Sequence, residues 1–217
     1  MRSEKLTEQN QTWSRRKDAR PAEIMQAAMA EFAEKGFAET KLSDVAKRAG
    51  VVKGTIYRYF ENKEDLFKEV VRQSVSTNLE VIHKVSSTFD GDTAEFIPFI
   101  LSGIASQFSD STLPSLIRMV LAESRKFPDL ANIWHDEVIV HVMGVLVGLI
   151  ENAQARGIIK EGDPKLFVFS MMGPMLLAML FREIFGNESE YAPDLHALSV
   201  QHSALLFSGI NKISKTS

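Results

Sequence analysis

Apolar residues recur along this chain at intervals of three and four, and turn residues cut the pattern into about nine segments. No segment alternates apolar and polar positions as a half-buried strand does. The pattern predicts an all-α protein. The first helix is expected from Pro21 to about Lys35, with Ile24, Ala28 and Phe32 four apart on one face, Pro21 in the first turn and Gly36 as the stop. Two short segments follow, Leu42–Ala49, closed by Gly50, and Gly54–Phe60. A longer helix begins at Lys63 and reaches about Ser86, with Leu66, Val70 and Val71 inward and Asn62 as its cap. Past Gly91-Asp92, where Asp92 and Glu95 have capping-box spacing, a helix runs to about Ser109, kinked or shifted by Pro98. Pro114 opens the next, ending near Lys126. Pro128 opens a long one, apolar on nearly all sides around Val138–Ile150 and ended by Gly157. Asp163-Pro164 starts a helix to about Phe185, and Pro193-Asp194 starts the last, to about Asn211.

Residues 42–60, LSDVAKRAGVVKGTIYRYF, have the grammar of two short helices crossing at a turn. Ala46 is small where the helices meet. Gly50, four residues on, supplies the positive φ of the turn. Val45, Ala49, Val51 and Ile56 form the face that locks the second helix on the first. That second helix presents Lys53, Thr55, Tyr57, Arg58 and Tyr59, which are phosphate donors and base-edge readers rather than core residues. A merely packed helix would have to bury Tyr57, Arg58 and Tyr59 together.

Charge supports a DNA partner. Net charge is −3 overall, but residues 1–60 hold 12 Lys/Arg against 8 Asp/Glu, and residues 61–217 hold 13 against 20. A basic head on an acidic body points to a polyanion at the head. Arg15-Arg16-Lys17-Asp18-Ala19-Arg20 reads equally as an arm reaching the DNA backbone or minor groove and as a solvated tail. The organisation expected is a flexible tail, 1–16, a helix-turn-helix domain, 17–62, and a body, 63–213.

The run from Ile24 to Phe67 resembles the amino-terminal domain of TetR-family transcriptional regulators. The resemblance is carried by Ala28, Phe32, Gly36-Phe37, Thr40, Val45-Ala46, Ala49-Gly50-Val51, the stretch Lys53–Phe60 and Lys63-Glu64-Asp65-Leu66. Ala155-Arg156-Gly157-Ile158, followed by Asp163-Pro164, is similar to the family's body. The resemblance implies a homodimer of nine-helix subunits in which helices one to three bind DNA and the body holds a small-molecule pocket. Members of the family are mostly repressors released by their ligand, and the resemblance implies the same role here. Position by position, it places DNA contacts on Lys53, Gly54, Tyr57, Arg58, Tyr59 and Lys63, with Thr55 close by. Val52 stands where the family often has serine, which removes a phosphate hydrogen bond. Lys41 stands where threonine or serine is frequent; it meets phosphate as a point charge and caps a helix poorly.

The body is rich in methionine and phenylalanine, and methionine suits adaptable binding surfaces as well as cores. Phe99, Met119, Glu123, Trp134, Val138, His141 and Met175 are the candidate pocket lining. Glu123 has a competing use in pairing with Arg118 or Lys126. The lining favours a largely apolar effector, neutral or cationic rather than anionic. Leu166–Phe185 carries two apolar seams. One holds Phe167, Met171, Pro174, Ala178, Phe181 and Phe185; the other holds Leu166, Ser170, Gly173, Leu177, Leu180 and Ile184. The expected dimer interface takes Phe167, Ala178 and Phe181 from the first seam, with Leu198, His202 and Leu205 from the last helix, as a four-helix contact.

Other classes find little support. There is no cysteine, which removes thiolate catalysis, disulfides and thiolate metal sites. Gly157 and Gly162 have P-loop spacing, but Asp163 follows where lysine is required. No His-Glu-x-x-His or Gly-x-Ser-x-Gly occurs, so no catalytic residue, metal or cofactor is expected. Residues 1–20 lack the apolar core of a secretory signal, and Leu166–Phe181, 16 residues without charge, falls short of the roughly 20 that span a bilayer. A cytoplasmic, ligand-responsive regulator that binds a palindromic operator is therefore expected. Its rivals are a metabolic enzyme with an incidental helix-turn-helix and a non-specific architectural DNA binder. The missing catalytic motifs oppose the first, and the acidic body opposes the second.

Overall fold

The computed structural model describes the backbone of residues 2–74, 93–110 and 112–210, and the side chains of 21–74, 97–109 and 112–206. Among these residues the regular elements are all helices. They are α1 (Arg2–Glu39), α2 (Leu42–Arg48), α3 (Lys53–Ile56), α4 (63–74), α5 (Thr93–Asp110), α6 (Leu113–Glu123), α7 (Pro128–Ala155), α8 (Pro164–Phe185) and α9 (Leu195–Ile210). They form two compact units, Met1–Arg72 and Gln73–Ser217.

The first unit reaches beyond Asn62, where the sequence pattern put the end of the DNA-binding domain, because α4 belongs to its core. Phe67 of α4 lies 5.5 Å from Phe32 and 5.7 Å from Phe37 of α1, ring centre to ring centre, and Phe32 stacks on Phe37 at 5.7 Å. Each such pair contributes about 0.5–1.5 kcal/mol beyond its buried area. Ile24, Ala28, Leu66, Val70 and Val71 complete the core, all fully buried. The helix α1 does not begin at Pro21. It continues back to Arg2 with Pro21 inside it, where the ring removes a single helical N–H. The expected unpacked tail, 1–16, is thus helical in its backbone from Arg2; its packing concerns side chains outside the described residues. Gly36, at φ 77, breaks the helical geometry as expected, and the Thr40 hydroxyl donates to the freed Gly36 carbonyl at 2.6 Å and to the Glu31 carbonyl at 3.1 Å.

In the second unit, α5, α7, α8 and α9 enclose a core that includes Ile97, Leu101, Leu146, Ile150, Met171 and Met175. Local chemistry sets the helix ends. The Asp163 carboxylate accepts from the Lys165 amide at 2.8 Å, and the Asp194 carboxylate accepts from the Ala197 amide at 2.7 Å. Gly157, at φ 70, ends α7 in a Schellman turn, with Ile158 N–H on the Ala153 carbonyl and Gly157 N–H on the Gln154 carbonyl. A π turn, His135–Ile139, lies within α7. The capping box at Asp92 and Glu95 and the reach of α4 towards Ser86 lie outside the described residues.

Candidate nucleic-acid interface

The reading element is built by α2, a turn and α3. Lys41 precedes α2 in an extended conformation, and its side chain makes no capping hydrogen bond. Val45 and Ala46 are buried beneath α2, and the small Ala46 lets the chain of α3 cross closely. Gly50 then takes φ +65, with Val51 N–H on the Ala46 carbonyl at 2.9 Å and Gly50 N–H on the Lys47 carbonyl at 3.2 Å. This Schellman turn closes α2 and aims the chain into α3. Ile56, fully buried, pins α3, and Phe60 pins the chain after it.

Most of the set the sequence singled out remains outward. Lys53, Gly54, Tyr57 and Arg58 are exposed, Tyr57 by 51%, while Thr55 and Tyr59 are half-buried. The packed-helix alternative fails on Tyr57 and Arg58. Lys53 Nζ lies 5.7 Å from the centre of the Tyr57 ring, so a cation and an aromatic face share one surface. A Cβ built on Gly54 meets nothing within 4 Å, so no internal packing demands glycine there. Val52, 74% exposed, precedes α3 and offers it no side-chain cap.

Lys63 is placed differently from its neighbours in the motif. Its ammonium donates to the carbonyls of Phe37 at 2.6 Å, Thr40 at 3.1 Å and Ala38 at 3.4 Å, and it lies 4.3 Å from the Phe37 ring centre. It holds together the loop between α1 and α2.

A group that sequence reasoning missed lies behind α2. Arg48 pairs with Glu31 and Glu34 of α1, and Lys35 with Glu31 and Asp44. The Arg48 guanidinium holds the Glu34 carboxyl below the usual carboxylate range, and the Glu31 carboxylate raises the Lys35 ammonium above its ordinary value. One signal was legible. Glu31 stands seven residues after Ile24 and three after Ala28, inside the apolar face of α1, where a carboxylate needs a partner.

The body residues divide. Of the candidate lining, Met119, Val138 and Met175 are buried, Glu123 and Trp134 are half-buried, and Phe99 and His141 are exposed. Arg118 meets Glu183 of α8 at 3.8 Å, and Lys126 lies over the Phe127 ring. The residues expected at the dimer interface also divide, and Leu205 of α9 is exposed. Ala178 is in the body's own core at 5% exposure, and Phe167 and Leu198 pack against that core. Phe181 is half-buried against Phe185, and the half-buried His202 has its Nε2 3.1 Å from the Ser170 carbonyl. The outward residues of α8 include Leu166, Phe169, Ser170, Gly173, Leu177, Ile184 and Phe185, joined on α9 by Val200 and Leu205.

Two family models cover most of this architecture. The model of bacterial regulatory proteins of the tetR family matches residues 24–70, and that of the AefR-like transcriptional repressor C-terminal domain matches residues 100–207. The fatty acid metabolism regulator protein of Bacillus subtilis is 32% identical over 198 residues, which cover 87% of this chain and 94% of that relative. The chain belongs to the TetR family.

Solved TetR-family structures share its fold. A putative TetR-family regulator from Mesorhizobium loti, 24% identical, covers 90% of this chain and 98% of its own with a TM-score of 0.76. The regulator FadR from Bacillus subtilis in complex with stearoyl-CoA, 26% identical, covers 88% and 99% with a TM-score of 0.72. The protein is thus a DNA-binding transcriptional regulator with a repressor-type body. Among the described residues two helices, α7 and α8, are long and apolar enough to cross a membrane by length and composition, with 17% and 28% of their most apolar windows buried. The uncharged stretch Leu166–Phe181 lies within the 22-residue α8, whose ends add Lys165 and Arg182; the core helix of a soluble protein has the same length and composition.

Proposed function

We propose that this TetR-family protein is a cytoplasmic homodimeric repressor that binds a palindromic operator and is released by a largely apolar effector carrying a long acyl chain. The observation that carries the DNA half is the outward set on α3 and the turn after it: Lys53, Gly54, Tyr57 and Arg58 exposed around a glycine that nothing internal requires. Lys41, Lys53 and Arg58 supply phosphate contacts, and Thr55, Tyr57 and Tyr59 meet base edges and sugars. Gly54 admits the backbone of the duplex. Lys63, expected as a contact, acts by holding the loop that carries α2.

One short helix binds weakly, and twofold symmetry doubles its contacts, reading half-sites about one helical turn or a multiple apart. The outward seam of α8, with Leu166, Phe169, Leu177 and Ile184, and the Val200 and Leu205 face of α9 supply the surface for the second copy. The apolar character of α7 and α8 then serves protein contact rather than lipid.

The acyl effector is supported by the relative named for fatty acid metabolism and by the stearoyl-CoA bound to the Bacillus FadR. It departs from the neutral or cationic effector expected from the sequence, since a coenzyme A thioester has an anionic head. The Met- and Phe-rich body suits its tail. For release, the effector must bind the DNA-free form more tightly, and DNA must weaken the effector by the same factor. The test is fluorescence anisotropy on the protein's own upstream DNA with random competitor. Stearoyl-CoA is then added beside a panel of hydrophobic amines and phenols, while Trp134 emission is followed in a Trp13→Phe background. Specific binding released by stearoyl-CoA supports the proposal. Binding that random DNA abolishes makes the protein a non-specific binder, and release only by another class removes the acyl effector.

A further inference from the structure

The first unit holds an ion cluster that neither the reading face nor the aromatic core uses. Arg48, the last residue of α2, turns its guanidinium back to α1. Its Nη1 donates to Glu31 Oε1 at 2.9 Å and Glu34 Oε2 at 2.8 Å, and its Nη2 donates to Glu34 Oε1. Lys35 binds Glu31 and reaches Asp44, in the first turn of α2, at 3.4 Å. Glu31 is the buried member at 5% exposure. Two cations and three carboxylates therefore tie both ends of α2 to one stretch of α1. The next residues, Ala49-Gly50-Val51, are the turn from which α3 hangs.

A cation at this place would ordinarily be a phosphate ligand. Arg48 is already engaged through both terminal nitrogens. We propose that Arg48, with Glu31 and Glu34, is a positioning device: it sets the angle of α2 and α3 on α1 and governs operator affinity without touching DNA. The proposal rests on α3 being the DNA-contacting element. The physical reason is directionality. Helices of seven and four residues do not hold an orientation by themselves. The apolar contacts of Val45, Ala46 and Ile56 are non-directional, whereas a forked guanidinium between carboxylates fixes distance and angle. The sign of the effect is diagnostic. Glu31 and Glu34 are negative charges in a domain that binds a polyanion, so on charge alone their neutralisation strengthens binding. As positioning residues, their neutralisation weakens it.

The test uses the full chain. Operator affinity is measured across a salt series for wild type, Arg48→Met, Glu34→Gln, Glu31→Gln and Lys53→Ala, and amide hydrogen exchange is measured on the DNA-free proteins. Arg48→Met and Glu34→Gln are expected to bind about tenfold more weakly at every salt concentration, as when about one molecule in ten keeps the binding arrangement. Their log–log salt slope stays that of wild type, and residues 42–60 exchange faster. Lys53→Ala, by contrast, makes the slope shallower by about one unit. If Glu31→Gln fails to fold, the more exposed Glu34 carries the test. The proposal is overturned if Arg48→Met loses a unit of slope like Lys53→Ala, if Glu34→Gln binds more tightly, or if exchange in 42–60 is unchanged. Failure of the wild type to bind its own upstream DNA removes the reading of α3, and the exchange measurement still judges the clamp.

Discussion

Gly54→Ala separates what the fold needs from what DNA needs. The residue lies in α3, its backbone is helical, and a Cβ there meets nothing within 4 Å. Inside the protein the substitution is therefore favourable: alanine in place of a helical glycine contributes about 0.5–1 kcal/mol. For a chain of this size that raises the thermal midpoint by about 1–4 °C. Against DNA the sign reverses. If a phosphate or sugar rests in van der Waals contact with the Gly54 Cα, a methyl group about 1.5 Å further out pushes the duplex away. Lys53 and Tyr57, on the same surface, then lose their reach together. A loss of one or two such contacts costs about 1.4–2.8 kcal/mol, or about 10- to 100-fold in affinity. Calorimetry and fluorescence anisotropy on one preparation read both quantities. The two must move in opposite directions, which partial unfolding cannot imitate. Wild-type affinity in Gly54→Ala refutes the close approach, and a lower melting point refutes the open space around the residue.

Three further outcomes are expected. Gly50→Ala places a side chain at φ +65 and should destabilise the first unit by about 1–2 kcal/mol in denaturant titration, with operator affinity falling alongside; equal stability would mean the turn relaxes without cost. Leu177→Arg, at a position 70% exposed, should leave each subunit folded but sediment as a monomer, whereas Ala178→Arg, in the core, should lose several kcal/mol of stability; a dimeric Leu177→Arg moves the interface elsewhere. Because Arg48 depresses the Glu34 carboxyl, that pair stabilises the fold above the ordinary glutamate value of 4.5 and ceases to do so as pH falls through the depressed value. The gap in melting temperature between wild type and Glu34→Gln should accordingly close in acid, and a gap constant down to about pH 3 would remove the pair as its cause.

What this sequence determined unaided is what depends on residues close together in the chain. Gly50 and Gly157 end helices because only glycine takes a positive φ without cost. Asn62, Asp163 and Asp194 begin helices because a short side-chain oxygen reaches an amide two or three residues on. The helix-turn-helix was legible for the same reason, since its turn, its small crossing residue and its outward cations fall within 20 residues. The tertiary structure alone decided the rest. Both seams of α8 are apolar at helical spacing, so nothing local says that Ala178 turns inward and Leu177 outward; the packing of α5, α7 and α9 breaks that degeneracy. Lys63 and Arg48 look like the other cations of the reading head until carbonyls and carboxylates 14 to 26 positions away in the chain engage them. A cation's role depends on what reaches it first, and for these two that is set by the crossing of helices rather than by their neighbours in sequence.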